Sequence, residues 1–224
     1  DVGSSRFRAI PETGARLLDW NLKAGSHTRQ ILYWPETADP TNLARVRGGN
    51  PVLFPFCGRS FDKGMENYWK APDKKRHPMP QHGFARGGRF QIEEMTENGF
   101  TALLDPPEAS HEWYPFAYEF RVEYWFEELT LKTRLRLCNR DERPIPWAAG
   151  HHFYFTLPWH PGAERQDYEI QMDARKCAYQ GPDGTLYSER DRETLHHFGD
   201  PKLANRIHYQ LKHNRIQFGP KGGE

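Results

Sequence analysis

Alternation of apolar side chains with mainly polar ones over residues 116–137 is the feature that most constrains the fold of this chain. Every even position from Phe116 to Phe126 is aromatic or aliphatic, and every odd position from Leu129 to Leu137 is leucine or threonine. A period of two places successive side chains on opposite faces of a β-strand. The change of phase at residues 127–128 therefore predicts a hairpin of two long antiparallel strands, each with one buried face.

The rest of the chain has the same strand-rich character. No segment keeps a helical period beyond one or two turns, and 19 glycines and 18 prolines supply tight connections. We predict a large antiparallel all-β sandwich that forms a single domain over residues 1–224. Further strands are expected at residues 6–10, 29–34, 90–95, 101–104, 167–172 and 206–211.

Charge and cysteine content exclude several classes of protein. Lys plus Arg number 31 against 30 Asp plus Glu, so no whole-protein field favours nucleic acid or an anionic membrane. No apolar run approaches the ~20 residues of a spanning helix. Cys57, Cys138 and Cys177 are far apart and lack metal-ligand spacing. We expect a soluble cytoplasmic protein, a monomer or homodimer, with reduced thiols and neither metal nor cofactor.

The first candidate for a functional site is the segment 78–86, which is Pro-Met-Pro-Gln-His-Gly-Phe-Ala-Arg. Two prolines restrict the backbone before His82, and Gly83 lets the chain turn directly after it. The imidazole is therefore expected to be held in place. A purely local role, in which His82 satisfies a turn, is the alternative.

A second candidate is the segment 150–155, Gly-His-His-Phe-Tyr-Phe. Alternation directs His151 and His152 to opposite faces, so only one of them can reach a shared pocket. The other is expected to be solvated or paired at the surface. The nearby aromatic residues could stack on a sugar ring; they are Trp147, Phe153, Tyr154 and Trp159.

A third candidate is the segment 47–59, whose apolar centre is predicted to be a buried strand flanked by turns. This strand delivers Arg47 and Arg59 at its two ends. A guanidinium presents a rigid fork of donors that suits hydroxyl or phosphate oxygens. Surface salt bridges are the alternative for both arginines.

These three segments, in this order, resemble the aldose 1-epimerase family with its galactose mutarotase-like fold. The strings are Gly-Gly-Asn-Pro-Val-Leu-Phe-Pro-Phe-Cys-Gly-Arg at 48–59, Met-Pro-Gln-His-Gly-Phe-Ala-Arg at 79–86, and Gly-His-His-Phe-Tyr-Phe at 150–155. The resemblance is good over residues 6–160 and looser beyond.

The resemblance implies interconversion of the α and β anomers of a hexose through acid and base ring opening. It assigns His152 as the acid at the ring oxygen, His82 as its assistant, and Arg59 as a ligand of substrate hydroxyls. A substrate-binding aspartate of the family corresponds to Asn205 or Asp200. The family's general base lies in a Glu-Pro-Trp motif that residues 1–224 lack, so we expect this glutamate beyond residue 224 and a truncated chain.

Three other interpretations remain open. A hexose 6-phosphate epimerase would use Arg47 and Arg86 as phosphate ligands. A non-catalytic carbohydrate-binding protein would use the aromatic residues and need no base. A metal site would draw on histidines, although no carboxylate or cysteine lies at ligand spacing beside them; these are His77, His82, His151, His152 and His160.

Overall fold

The computed structural model describes residues 1–189, 193–201, 203 and 206–222. The described residues form mainly antiparallel strands, which confirms the all-β fold class. The strands are β1 (Ser5–Ile10), β2 (Arg16–Ala24), β3 (His27–Leu32), β4 (Val52–Leu53), β5 (Phe61–Asp62), β6 (Met65–Glu66), β7 (Tyr68–Lys70), β8 (Arg76–Pro78), β9 (Arg89–Met95), β10 (Gly99–Asp105), β11 (Tyr118–Glu127), β12 (Thr130–Asn139), β13 (Gly150–His151), β14 (Tyr168–Gln180), β15 (Leu186–Glu189), β16 (Leu195–His197) and β17 (Arg206–Pro220). Helical turns are α1 (Ser110–Trp113) and the 3-10 segments Pro40–Arg45, Ala85–Gly87 and Arg165–Asp167.

The chain divides into two compact units, Asp1–Thr156 and Leu157–Glu224. The first unit contains β1 to β13, and the second contains β14 to β17. That residues 1–224 form a single domain stays a prediction.

The predicted hairpin is present as β11 and β12, which pair from Tyr118 opposite Asn139 to Glu127 opposite Thr130. These strands form one side of a four-stranded sheet with the order β12-β11-β10-β9. The even-numbered side chains of β11 are buried from Phe120 onward, as the alternation predicts. Leu129 differs from the prediction because it lies in the turn and is exposed rather than on the buried face.

Strand β2 was not predicted from the sequence. It is the middle strand of the sheet β1-β2-β3, and the five residues from Arg16 to Trp20 are all buried. A strand that is covered on both faces does not alternate between apolar and polar residues, so its period is hidden.

Aromatic packing around Phe54 forms the centre of the first unit. The ring of Phe54, which directly follows β4, stacks on Phe120 of β11 with 3.9 Å between centroids. Tyr114 and Phe84 meet the same ring edge-on at 5.8 and 6.0 Å. Such pairs stabilise a core beyond the area that they bury. The segment that follows β4 is thereby fixed to the main sheet.

The second unit is a sheet in which β14 pairs with β15, β16 and β17. The strands predicted at 167–172 and 206–211 are much longer than expected, with 13 residues in β14 and 15 in β17. Trp159 packs against Tyr168 and Phe218 of these two strands.

No helix in the described part of the chain has the length and apolar character needed to cross a bilayer. The cytoplasmic location stays a prediction.

Candidate active site

The segment 78–86, here called the His82 loop, is anchored to the core by its backbone. His82 and Gly83 both have a positive φ, 66° and 69°. A Cβ at Gly83 would lie 1.9 Å from the carbonyl oxygen of Phe54, so glycine is required for this close approach. The next amide, that of Phe84, donates to the same oxygen at 2.9 Å.

The imidazole of His82 is held by the backbone of Gly58. The His82 amide donates to the Gly58 oxygen at 2.7 Å, and the Gly58 amide donates to His82 Nδ1 at 3.0 Å. Because Nδ1 accepts a hydrogen bond, the neutral ring carries its proton on Nε2. This leaves an Nε2–H donor, whose nitrogen also lies 3.4 Å from the side-chain nitrogen of Gln81. One backbone hydrogen bond holds the ring, and a second holds the backbone that carries it.

The pKa of His82 is lowered to about 4, mainly by burial and then by the positive charges of Arg86, His152 and Arg59. Each of these influences disfavours the imidazolium. His82 is therefore neutral near pH 7. A neutral ring with its proton on Nε2 can donate a hydrogen bond to a developing oxyanion, but it cannot act as a strong acid.

The segment 150–155 begins with the short strand β13, is here called the His152 strand, and brings a second imidazole to the first. Strand β13 pairs with β4, with His151 opposite Val52. The exposed ring of His152 meets the ring of His82 edge-on, with 5.5 Å between centroids. The ring of Tyr154 also lies beside that of His152, with 5.0 Å between centroids. The structure thus brings together His82, His152 and Tyr154, three of the predicted site residues.

Alternation separates the two adjacent histidines as predicted, but His151 does not lie paired at the surface or solvated. It is half-buried, and its Nδ1 lies 2.8 Å from Asn50 Nδ2 and 3.4 Å from Tyr124 Oη. Burial lowers the pKa of His151 to about 4. The expectation for this residue is wrong because the face opposite His152 is directed toward β11 rather than toward water.

Two buried polar residues behind the site were not singled out in the sequence. Asn50 is fully buried, and its side chain contacts the ring of His151 and the backbone of His152. Its position between Gly49 and Pro51 is a signal for a constrained backbone, but it does not reveal what the amide contacts.

Arg16 is also fully buried, and its guanidinium donates to backbone carbonyl oxygens rather than to a carboxylate. The bonds run to Val46 at 2.8 Å and to Gly48 at 2.6 Å. Burial, and to a smaller extent the charge of Arg86, lowers the pKa of Arg16 to about 10. Arg16 therefore fixes the backbone on both sides of Arg47.

The three predicted arginines, Arg47, Arg59 and Arg86, differ in burial and in their contacts. Arg86 is half-buried, and its pKa is lowered by burial, while its charge interacts with Tyr154. Arg59 is exposed and lies 3.5 Å from Glu66 through Nε. Both charges act on His82. Arg47 is exposed, and no described contact joins it to the histidine pair.

The remaining predicted binding residues are Trp147 and Asn205, the latter with Asp200 as its alternative. Trp147 is 43% exposed, and the following residue, Ala148, is bonded to the backbone of Pro55 and to the thiol of Cys57. Asn205 lies outside the described residues. Its alternative, Asp200, belongs to the second unit.

A cavity of about 560 Å³ borders the site through Arg86, with Pro80, Phe84 and Trp113 also in its lining, but it includes neither histidine. Among the residues that the structure describes, the histidines considered for a metal site do not form a metal-binding group. The described group with suitable geometry lies in the second unit, where ligand atoms fall within 4.8 Å of one another; it consists of Glu193, His196 and Asp200.

Several known proteins are similar to this chain. The family model for Aldose 1-epimerase matches residues 7–218. Protein LacX (plasmid) of Lactococcus lactis subsp. lactis is 28% identical over 138 residues, which cover 58% of this chain and 44% of LacX. A protein named "Putative glucose-6-phosphate 1-epimerase" from Cenchrus ciliaris is 24% identical over 200 residues, which cover 81% of this chain and 55% of that protein. The matches span about half the length of these two relatives.

Solved structures show the same fold. The galactose mutarotase related enzyme from Lactobacillus acidophilus superposes with a TM-score of 0.71 at 21% identity, over 97% of this chain and 73% of that chain. A galactose mutarotase-like protein from Lactobacillus casei gives a TM-score of 0.66 at 22% identity, over 88% and 66% of the two chains. Together with the family match over residues 7–218, these likenesses confirm the resemblance noted in the sequence: the chain belongs to the aldose 1-epimerase family and has its all-β sandwich fold.

Proposed function

We propose that the protein is an isomerase that interconverts the α and β anomers of a hexose through acid and base ring opening. The observation that supports this most directly is the pair of imidazoles, His82 and His152, which come from separate segments and meet at 5.5 Å between ring centroids. The charges of two guanidinium groups, those of Arg59 and Arg86, also act on His82.

The two imidazoles have different roles in this proposal. His152 is exposed, so its ring can exchange protons with solvent and deliver one to the ring oxygen of the sugar. His82 is neutral and carries its proton on Nε2. It therefore donates a hydrogen bond to the same oxygen as negative charge develops there. Arg59 and Arg86 bind hydroxyls and add positive potential.

The proton balance of the reaction closes without a redox step. The ring oxygen gains a proton from His152 as the bond between C1 and that oxygen breaks, and a base removes the proton of the C1 hydroxyl. The resulting aldehyde rotates about the bond from C1 to C2 and closes on its other face by the reverse transfers. His82 is not this base, because its Nδ1 accepts from Gly58 and its Nε2 already holds a proton. The base is not assigned to a described residue.

Anomer exchange measured by NMR tests the proposal. Purified chain is added to equilibrated glucose and galactose, and exchange between the anomeric signals is compared with buffer alone. His152→Ala should lower kcat by ~10²–10⁴-fold, the usual contribution of a positioned acid. His111→Ala is the matched control, because His111 is an exposed histidine on α1; it should keep the wild-type rate.

The outcome also separates catalysis from simple binding. One outcome is that the chain does not speed anomeric exchange of glucose or galactose, yet the NMR signals of the His82 and His152 rings shift when sugar is added. In that case the carbohydrate-binding alternative replaces the epimerase. Wild-type exchange in His152→Ala would remove this residue as the acid.

A hexose 6-phosphate is the second candidate substrate, and the cluster of positive charge favours it. The charge of Arg86 acts on both Arg16 and His82, and the charge of Arg59 also acts on His82. A relative named for glucose 6-phosphate epimerisation also matches 81% of the chain. We propose Arg86 as a phosphate ligand, with Arg47 as a second ligand at the exposed end of its segment.

Glucose and glucose 6-phosphate assayed in parallel decide between the two substrates. With a phosphate subsite, kcat/KM should be higher for glucose 6-phosphate, fall steeply with salt, and drop selectively in Arg86→Ala. Arg6→Ala, at an exposed position of β1, is the control for lost surface charge. Equal loss for both sugars in Arg86→Ala would place Arg86 at hydroxyls common to both.

A further inference from the structure

The fully buried side chain of Asn50 contacts both segments that surround the histidine pair. Its Oδ1 accepts the backbone amide of His152 at 2.9 Å. Its Nδ2 donates to Tyr124 Oη at 2.7 Å and lies 2.8 Å from His151 Nδ1. An amide has two donor hydrogens and one acceptor oxygen, so each polar atom of Asn50 has a partner.

We propose that Asn50 is a positioning residue that fixes the two adjacent histidines on opposite sides of the His152 strand, so that the ring of His152 meets that of His82. This inference rests on the proposed function, because it concerns the geometry of the proposed acid. Asn50 touches neither proposed catalytic ring and acts through the backbone of one histidine and the ring of the other.

The geometry assigns a separate task to each end of the amide. The Oδ1 contact limits the rotation of the backbone at His152, which also donates to the oxygen of Pro51 at 3.1 Å. The Nδ2 contact requires an unprotonated Nδ1 on His151, so this ring carries its proton on Nε2. The low pKa of His151, about 4, is consistent with a ring that accepts at Nδ1.

Asn50 itself is fixed from both sides along the chain. Its amide donates to the oxygen of Leu17 on β2 at 2.8 Å. Pro51 follows it and restricts the preceding backbone to extended conformations. A residue with so little freedom can hold its neighbours within the few tenths of an ångström that proton transfer requires.

Three variants separate the two contacts. Asn50→Asp keeps an oxygen that can accept from His152 but replaces the Nδ2 donor, so His151 should move its proton to Nδ1. Asn50→Ala removes both contacts. Tyr124→Phe removes the hydroxyl that shares the network but leaves both contacts of Asn50 with the histidines, and it serves as the control for a disturbed buried site.

The first readout is kinetic. In Asn50→Ala, kcat for anomer exchange should fall ~10²-fold with KM changed much less, because the acid is misplaced while the sugar contacts stay. Asn50→Asp should recover most of that loss, and Tyr124→Phe should remain within about threefold of wild type. Equal kcat losses in Asn50→Ala and Tyr124→Phe would overturn the proposal, since a general loss of packing would then explain both.

The second readout does not depend on catalysis. Ring nitrogen shifts measured by ¹⁵N NMR should show His151 with its proton on Nε2 in the wild type and on Nδ1 in Asn50→Asp. The His152 ring signals should lose the ring-current shift from His82 in Asn50→Ala but keep it in Tyr124→Phe. If the chain is catalytically silent but these shifts occur, the positioning role stands and the proposed function fails. Unchanged His152 signals in Asn50→Ala would overturn the positioning role, whatever the activity.

Discussion

The His82 loop and the His152 strand hold their imidazoles in opposite ways. In the loop the ring itself is bonded, because His82 Nδ1 accepts from the amide of Gly58. In the strand the backbone is bonded instead: the amide of His152 donates to Asn50 and Pro51, and the ring is exposed.

This difference suits two different tasks. A ring that is fixed and kept neutral offers a hydrogen-bond donor that needs no reorganisation as charge develops on a substrate oxygen. A ring whose backbone alone is fixed can rotate and exchange its proton with water, as an acid must in each turnover. The following changes test this contrast, and the largest expected effect comes first.

Gly83→Ala should break the His82 loop. The new Cβ would lie 1.9 Å from the oxygen of Phe54, which is a backbone atom in the core. We expect a loss of at least about 3 kcal/mol in the free energy of unfolding, measured with urea, because the backbone of β4 or the loop must move.

Gly25→Ala is the matched control. Gly25 also has a positive φ, +61°, but nothing lies within 4 Å of its Cβ position. This variant should cost only about 1 kcal/mol, the strain of a left-handed alanine. Similar losses in the two variants would show that the close approach to Phe54 is unimportant.

His82→Asn should separate the ring of His82 from the conformation of its loop. Asparagine tolerates a positive φ, and its Oδ1 can replace Nδ1 as the acceptor for Gly58, but it has no counterpart of Nε2. We expect near-native stability with kcat lowered ~10²-fold, measured by anomer exchange. A wild-type kcat would mean that Nε2–H does not act on the substrate.

Stability should fall on acidification, because two histidines are kept neutral in the folded chain. The pKa values of His82 and His151 are lowered from 6.5 to about 4. The unfolded chain therefore binds protons first, so this stabilisation is complete above pH 6.5 and is lost as the pH falls toward about 4.

Urea unfolding of the wild type and of His82→Asn is compared at about pH 7.5 and about pH 5. The comparison separates the contribution of His82 to the loss of stability from that of the carboxylates, which titrate in the same range. The variant should lose less stability between the two conditions. Equal losses would show that His82 is not kept neutral by folding.

Cys57→Ser should have the smallest effect. The thiol of Cys57 donates to the oxygen of Ala148 at 2.9 Å and links the segment after β4 to the approach of the His152 strand. A hydroxyl can replace this bond, so stability should change by less than about 1 kcal/mol. Burial raises the pKa of Cys57 to about 11, and alkylation of its thiol near pH 8 should therefore be slower than that of a free cysteine.

Much of the fold could be predicted from local patterns. The hairpin of β11 and β12 was predicted because one face of each strand packs inward, and a turn was predicted at Gly83 because glycine adopts a positive φ without strain. Strand β2 was missed because both of its faces are covered. The long β14 and β17 have no clean alternation, so only parts of them were predicted.

The residue types of the site could be predicted from the sequence, but the contacts that hold these residues in place could not. Proline, glycine and alternation indicated that His82 would be held and that His151 and His152 would diverge. The contacts of Asn50 join residues that are 101 and 102 positions apart in the chain, and no local pattern encodes such a distance. Arg16 was missed for the same reason, because its partners lie about 30 residues away.

The carbonyl oxygen of Phe54 accepts two hydrogen bonds, and these limit the motion of the His82 loop. This oxygen accepts from both Phe84 and Ala85, while the ring of the same residue stacks on Phe120 in the main sheet. The His82 loop therefore cannot detach without disturbing the most buried part of the first unit. We expect the amide hydrogen of Phe84 to exchange with solvent only through global unfolding, at the same slow rate as amides at the centre of β11.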